Sequence, residues 1–117
     1  MVKPKVFIVQ DSGHDFTQAA RWGQPVVLFT GKVNAFALGK LAEQVEAKLA
    51  SASRDDMLLL AGNLVVNCLA LHSLLRRLDR VQVLIYSFRE EGYELRALYP
   101  EMFGGNTAKL GGTNGEC

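Results

Sequence analysis

From Met57 to Leu75 the chain reads MLLLAGNLVVNCLALHSLL, 19 residues without a formal charge. A run of this length suits a helix crossing a bilayer, with Arg76 and Arg77 as its stop-transfer flank. It equally suits a buried strand that hands over to a buried helix, since strands of covered parallel sheets are continuously apolar. Gly62 and Asn63 decide between the two, because Gly-Asn is a turn and helix-cap pair and falls where a five-residue strand would end. Asn67, His72 and Ser73 add polar groups that hydrocarbon penalises unless each is partnered. The run is therefore assigned to a strand, a turn and a helix, with no membrane contact expected. Met1 to Lys5 lead into only a short apolar stretch, so no signal peptide is expected either.

The chain has 117 residues, of which 49% are hydrophobic and 21% charged, with a net charge of +1. This balance excludes whole-chain disorder, and the absence of a glycine period or sustained heptad excludes a collagen or coiled-coil rod. Composition changes near residue 100. The last 18 residues, PEMFGGNTAKLGGTNGEC, carry five of the 11 glycines and too little apolar surface to offset their ordering entropy. Two regions are expected: a single α/β domain over 1–99 and a glycine-rich flexible tail over 100–117. In the tail, Met102, Phe103 and Leu110 would dock onto a partner if it were more than a frayed terminus. The two cysteines, Cys68 in the apolar helix and Cys117 at the end, form no disulfide framework, which suits free thiols in a cytoplasmic protein.

The elements follow from periodicity. Lys5–Gln10 and Pro25–Thr30 are strands, with a short helix between them that Asp15 caps and a left-handed Gly23 ends. Leu38, Leu41, Ala42, Val45 and Leu49 recur at helical spacing, with Lys40, Glu43, Glu46 and Lys48 on the other side and Asn34 as the cap. Met57–Ala61 is a third strand. The helix Leu64–Leu78 is apolar nearly all round in its first turns and is expected to be the more buried of the two. Val81–Phe88 and Tyr93–Leu98 form a closing hairpin over a turn of Arg89, Glu90, Glu91 and Gly92. The fold class is α/β: a small, mostly parallel sheet of about five strands with helices packed on it and a C-terminal antiparallel hairpin strand. The connections are expected to be right-handed crossovers, and of the strand orders open to them the doubly wound 2-1-3-4-5 is favoured.

The ordered series DDMLLLAGN, an apolar helix, RVQVLIY, a charged turn and a tyrosine-bearing strand resembles a group of small proteins encoded by tailed phages and prophages. VFIVQ at the start and AARWG before the second strand extend the resemblance to residues 5–98. It implies a phage or prophage origin and brings with it neither an activity nor catalytic residues. Asn63 stands where many of those proteins look to have Asp.

In a parallel sheet the carboxyl ends of the strands form the ligand-binding edge. Here that edge gathers Gln10, Asp11, Ser12, His14, Thr30, Lys32, Gly62 and Asn63. An anion or nucleotide would lie among Asp11, Thr30, Lys32, Gly62 and Asn63, using the N–H groups that open the second helix. The dinucleotide and P-loop glycine signatures are absent, and the Gly-Asn turn is what any strand-to-helix junction needs. Asp11, Ser12, His14 and Asp15 hold the ingredients of a nucleophile and base, yet hydrolase triads assemble from separated segments. Asp55 and Asp56 precede a strand at its amino end and read as a solvated turn. Cys68 and His72 share a helix face but are two ligands where zinc needs four, and a buried thiol is the expectation. Arg76, Arg77 and Arg80, with Arg89, Tyr86 and Phe88 near them, are the candidate nucleic-acid patch. Near-neutral charge and the helix dipole argue against that use.

No catalytic residue, metal or cofactor is therefore assigned. The expected function is that of a small accessory protein acting by protein binding or self-association. A nucleotide- or anion-binding domain is the alternative, and nucleic-acid binding through the arginines the second alternative.

Overall fold

The computed structural model describes residues 3–102. Lys5–Asp11 forms β1, Thr17–Arg21 a 3-10 turn, Gln24–Thr30 β2 and Leu38–Lys48 α1. Met57–Leu59 forms β3, Leu64–Arg77 α2, Val81–Ser87 β4 and Gly92–Leu98 β5. The strands make one sheet of order β2-β1-β3-β4-β5. β1 pairs in parallel with β2 and β3, β3 in parallel with β4, and β4 antiparallel with β5. This is the expected architecture and strand order. Most of the predicted tail, from Phe103 to Cys117, lies outside the described residues, as does any pairing of Cys117.

Alternation along each strand divides the core in two. Phe7 and Val9, with Leu28, Leu58, Val81 and Val83, meet α1 through Leu41, Val45 and Leu49, and α2 through Val66, Ala70 and Leu74. Val6, Ile8, Met57, Leu59 and Leu84 face the other way, onto Ala19 of the 3-10 turn and its neighbours Phe16 and Trp22. The handedness of the crossovers explains the asymmetry: β2-α1-β3 and β3-α2-β4 run in one direction, while β1-to-β2 runs in the other. One face therefore carries two helices, and the second only a single short turn.

The polar residues of the uncharged run are the stitching of this fold. Asn67, 8% exposed, accepts from the Ala61 N–H and donates to the Ala61 and Asn63 carbonyls at 2.7–2.9 Å. Ser73 donates to Glu46 of α1, whose other carboxylate oxygen takes Arg76. No helix among the described residues is long and apolar enough to cross a membrane.

Several local expectations are corrected. The short helix is a 3-10 turn, and Gly23 is not left-handed; glycine is needed there because a Cβ would collide with the Pro4 carbonyl. α1 begins after Ala37 without a side-chain cap, because Asn34, three residues before Ala37, spends its oxygen on the Phe36 N–H. β3 stops at Leu59, since the Ala61 backbone bonds to Asn67 instead of to a neighbouring strand. α2 buries Val66, Asn67, Ala70, Ser73 and Leu74 but leaves Leu64 77% exposed. Cys68 is also exposed, not buried, because only the sheet and α1 cover this helix. In the hairpin the left-handed residue is Glu91, at φ 56°, and Gly92 is the first residue of β5.

Candidate functional site

From β1 the chain passes to β2 on one side and then across to β3 on the other, so the strand order reverses at the carboxyl ends of β1 and β3. This is the point at which open α/β sheets bind ligands. Here it is filled by a side chain of the protein itself. Gln10, 5% exposed, donates from Nε2 to the Gly31 carbonyl at 2.6 Å and accepts the Asn63 N–H on Oε1 at 2.5 Å. Gly62 lies against it at φ +88°, where a Cβ would overlap the Gln10 side chain.

The five residues expected to hold an anion are dispersed around this plug. Asp11 and Thr30 are register partners on β1 and β2, and the Asp11 carboxylate accepts the Gly13 N–H. Asn63 caps α2, its Oδ1 taking the Val65 and Val66 N–H groups at 2.8 and 3.4 Å. Lys32 belongs instead to a groove of about 360 Å³ between β2 and α1, which Lys40, Lys48 and Phe29 also line. The Lys48 ammonium lies 5.3 Å from that ring centroid. Gly62 alone of the five lines a second, wider opening at the edge.

That opening is a cleft of about 580 Å³ on the thinly covered face. One wall is His14 to Gln18, leading into the 3-10 turn; the floor is Leu59 to Gly62; the far wall is Tyr86, Phe88 and Tyr93 of the hairpin. Tyr86 meets Phe88 edge-on with centroids 5.0 Å apart, and Tyr93 likewise at 5.4 Å, the geometry aromatic quadrupoles prefer. Phe88 is 87% exposed. Burial raises the Tyr93 phenol above its usual range, helped by Tyr86 and Asp15. The Asp15 carboxyl is held below its usual range by hydrogen bonds from the Thr17 backbone and side chain, so it is anionic at neutral pH.

Sequence reasoning missed this cleft as a unit. Its signal was present in the alternation of Tyr86, Phe88 and the cross-strand Tyr93, which places three aromatics on one side of a hairpin. Nothing local showed that this side would lack a covering helix.

The other candidate constellations are structural in their contacts. Asp11 and Asp15 each accept a nearby backbone N–H, and His14 sets its ring against Phe16, so neither carboxylate orients the imidazole. Asp56 accepts the Lys5 and Ser53 N–H groups, and Asp55 pairs with Arg80. Among the described residues no group of three potential metal ligands converges. Arg76 binds Glu46, Arg77 donates to the Leu49 and Ala52 carbonyls after α1, and Arg80 donates to the Arg54 carbonyl. The three guanidiniums thus tie the ends of α1 and α2 to the start of β3.

No curated protein and no solved structure matches this chain. A protein family does, over residues 4–98, which include all five strands and both helices. By that match the chain belongs to the family described as Phage Pam3 gp32-like protein.

Proposed function

We propose that this phage-family protein is a small binding protein that takes a segment of a partner protein into the aromatic cleft, working in the host cytoplasm and catalysing no reaction. The observation that carries this reading is Phe88, almost fully exposed at the mouth of a cleft it shares with Tyr86 and Tyr93. Exposed aromatics at the edge of a partly preformed apolar groove are the usual anchors of protein contacts. Asp15 adds an anionic group to the wall, and aromatic faces attract cations. The fitting segment therefore presents an apolar side chain beside an arginine or lysine. Panning a random peptide library on the intact chain should enrich such sequences, and Phe88→Ser should weaken their binding by at least about tenfold. No enrichment, or equal binding to the variant, would overturn the reading.

The lysine groove favours a second reading as an anion binder, since Lys32, Lys40 and Lys48 line it and no carboxylate does. Thermal shift with ATP and with inorganic phosphate tests it. Lys32→Ala should abolish a shift that arises in this groove, and Asn63→Ala one that arises at the sheet edge; no shift from either probe ends this reading.

A further inference from the structure

β5 pairs with β4 along one side and is the last strand of the sheet. Unprotected edges of this kind are templates for further pairing unless proline, bulges or a row of like charge blunts them. The opposite edge, β2, carries Pro25. β5, GYELRAL, has no proline, pairs without interruption from Gly92 to Leu98, and bears two charges of opposite sign. Those charges, Glu94 and Arg96, lie on one face two residues apart and are joined at 2.6 Å, and the Arg96 guanidinium also donates to the Leu95 carbonyl at 2.8 Å, contacts that an added strand would exchange for its own. Leu95 stands between the two charges, and Tyr93, Leu95 and Ala97 lie on the other face.

We infer that a second copy of this chain adds to the β5 edge, antiparallel and centred on Leu95, joining two five-stranded sheets into one of ten strands. The charge pattern selects this register. With Leu95 opposite Leu95 of the second copy, each Glu94 faces an Arg96, and two-fold symmetry makes the pair twice. A slip of two residues one way sets Glu94 against Glu94, and the other way Arg96 against Arg96, and like charges directly opposite destabilise a sheet. A slip of one residue turns the faces over and sets each charge against an apolar residue. On the other face the centred register places Leu95 against Leu95 and Tyr93 against Ala97. Tyr93 belongs to both this pairing and the cleft wall, but Phe88 lies outside the paired strand, so a substitution at Phe88 tells the two apart.

A contact made by a single strand edge is small, so the dimer should dissociate in the micromolar range, on the order of 10 μM. Sedimentation equilibrium of the full chain, under reducing conditions because Cys68 is exposed, measures it directly. The wild type should pass from monomer to dimer with concentration. Glu94→Arg sets arginine against Arg96, and Arg96→Glu sets glutamate against Glu94, so each single variant should be monomeric. Mixing the two should restore a dimer, because every facing pair in the mixed species is then opposite in charge. The charge-swapped double variant Glu94→Arg/Arg96→Glu should dimerise alone, and Phe88→Ser should leave the equilibrium unchanged. A wild type that stays monomeric up to about 500 μM overturns the inference. So does dimerisation of either single variant, or failure of both the mixture and the charge-swapped chain to dimerise.

Discussion

Gln10 lies where the strand order reverses, and its amide closes the crevice by bonding to the loops after β2 and β3. Gly62 is what allows it to fit, through both its positive φ and its missing Cβ. Gly62→Ala would impose left-handed strain and push the amide off the Gly31 carbonyl and the Asn63 N–H. A loss of about 2 to 3 kcal/mol is expected, read as a lower denaturation midpoint at unchanged m-value. Tyr93 gives a test of the cleft wall. Burial raises its pKa above the ordinary 10.0, so the unfolded chain releases this proton first. Its contribution to stability is therefore whole below pH 10 and is lost as pH rises through the folded-state value. Tyr93→Phe should remove from the phenolate absorbance a titration that lies above the ordinary phenol range. A titration unchanged in Tyr93→Phe would place the late phenol elsewhere.

The hairpin and the β3-α2 junction show how far an element can be read before its surroundings are known. Val81, Val83, Tyr86 and the turn residues after Ser87 made the hairpin legible, but Gly92, expected in the turn, opens β5, and the left-handed residue is Glu91. Register explains the displacement: Ser87 pairs with Gly92, which places the glycine in the strand and leaves the positive φ to the residue before it. Glu91→Asn should therefore raise stability by about 0.5 kcal/mol, since asparagine tolerates this conformation better, with the melting temperature as the measurement. At the junction, Asn63 was legible as a cap because capping is local, and its Oδ1 does take the Val65 and Val66 N–H groups. Asn67 was legible only as a polar group needing partners; that it would end β3 by holding both Ala61 backbone groups depended on how α2 meets the strand. Asn34 misled for the related reason that a local turn competed for the same side chain.

Across the whole molecule, the two faces of the sheet differ in how much covers them. Leu58 points into the layer under both helices, and Leu59 into the layer over which only the 3-10 turn and the hairpin aromatics fold. Both are almost wholly buried. Leu58→Ala should cost about 3 to 4 kcal/mol, because packed helices cannot collapse into the void. Leu59→Ala should cost nearer 2, because the open side can relax, and paired denaturant titrations would read the difference. Equal losses would mean that the cleft face is as rigid as the helical one. The unequal cover also accounts for what the apolar composition left undecided: two-sided strands implied burial on both faces, yet the second face is covered only in part and leaves an aromatic cleft.

Apolar run lengths, helical spacing and turn residues determined by themselves that this chain makes five strands and two helices. These are properties of residues close in sequence. The strand order 2-1-3-4-5 was only favoured among those that right-handed crossovers allow, and the tertiary structure decided it. Tertiary structure alone decided that Gln10 would fill the switch-point crevice, that Lys32 would turn toward α1, and that Arg76, Arg77 and Arg80 would be spent on loops and carboxylates of the fold. Each of those outcomes joins groups distant in sequence, as when Gln10 meets Asn63, 53 residues away. No local pattern encodes such a meeting, because it depends on which elements pack together.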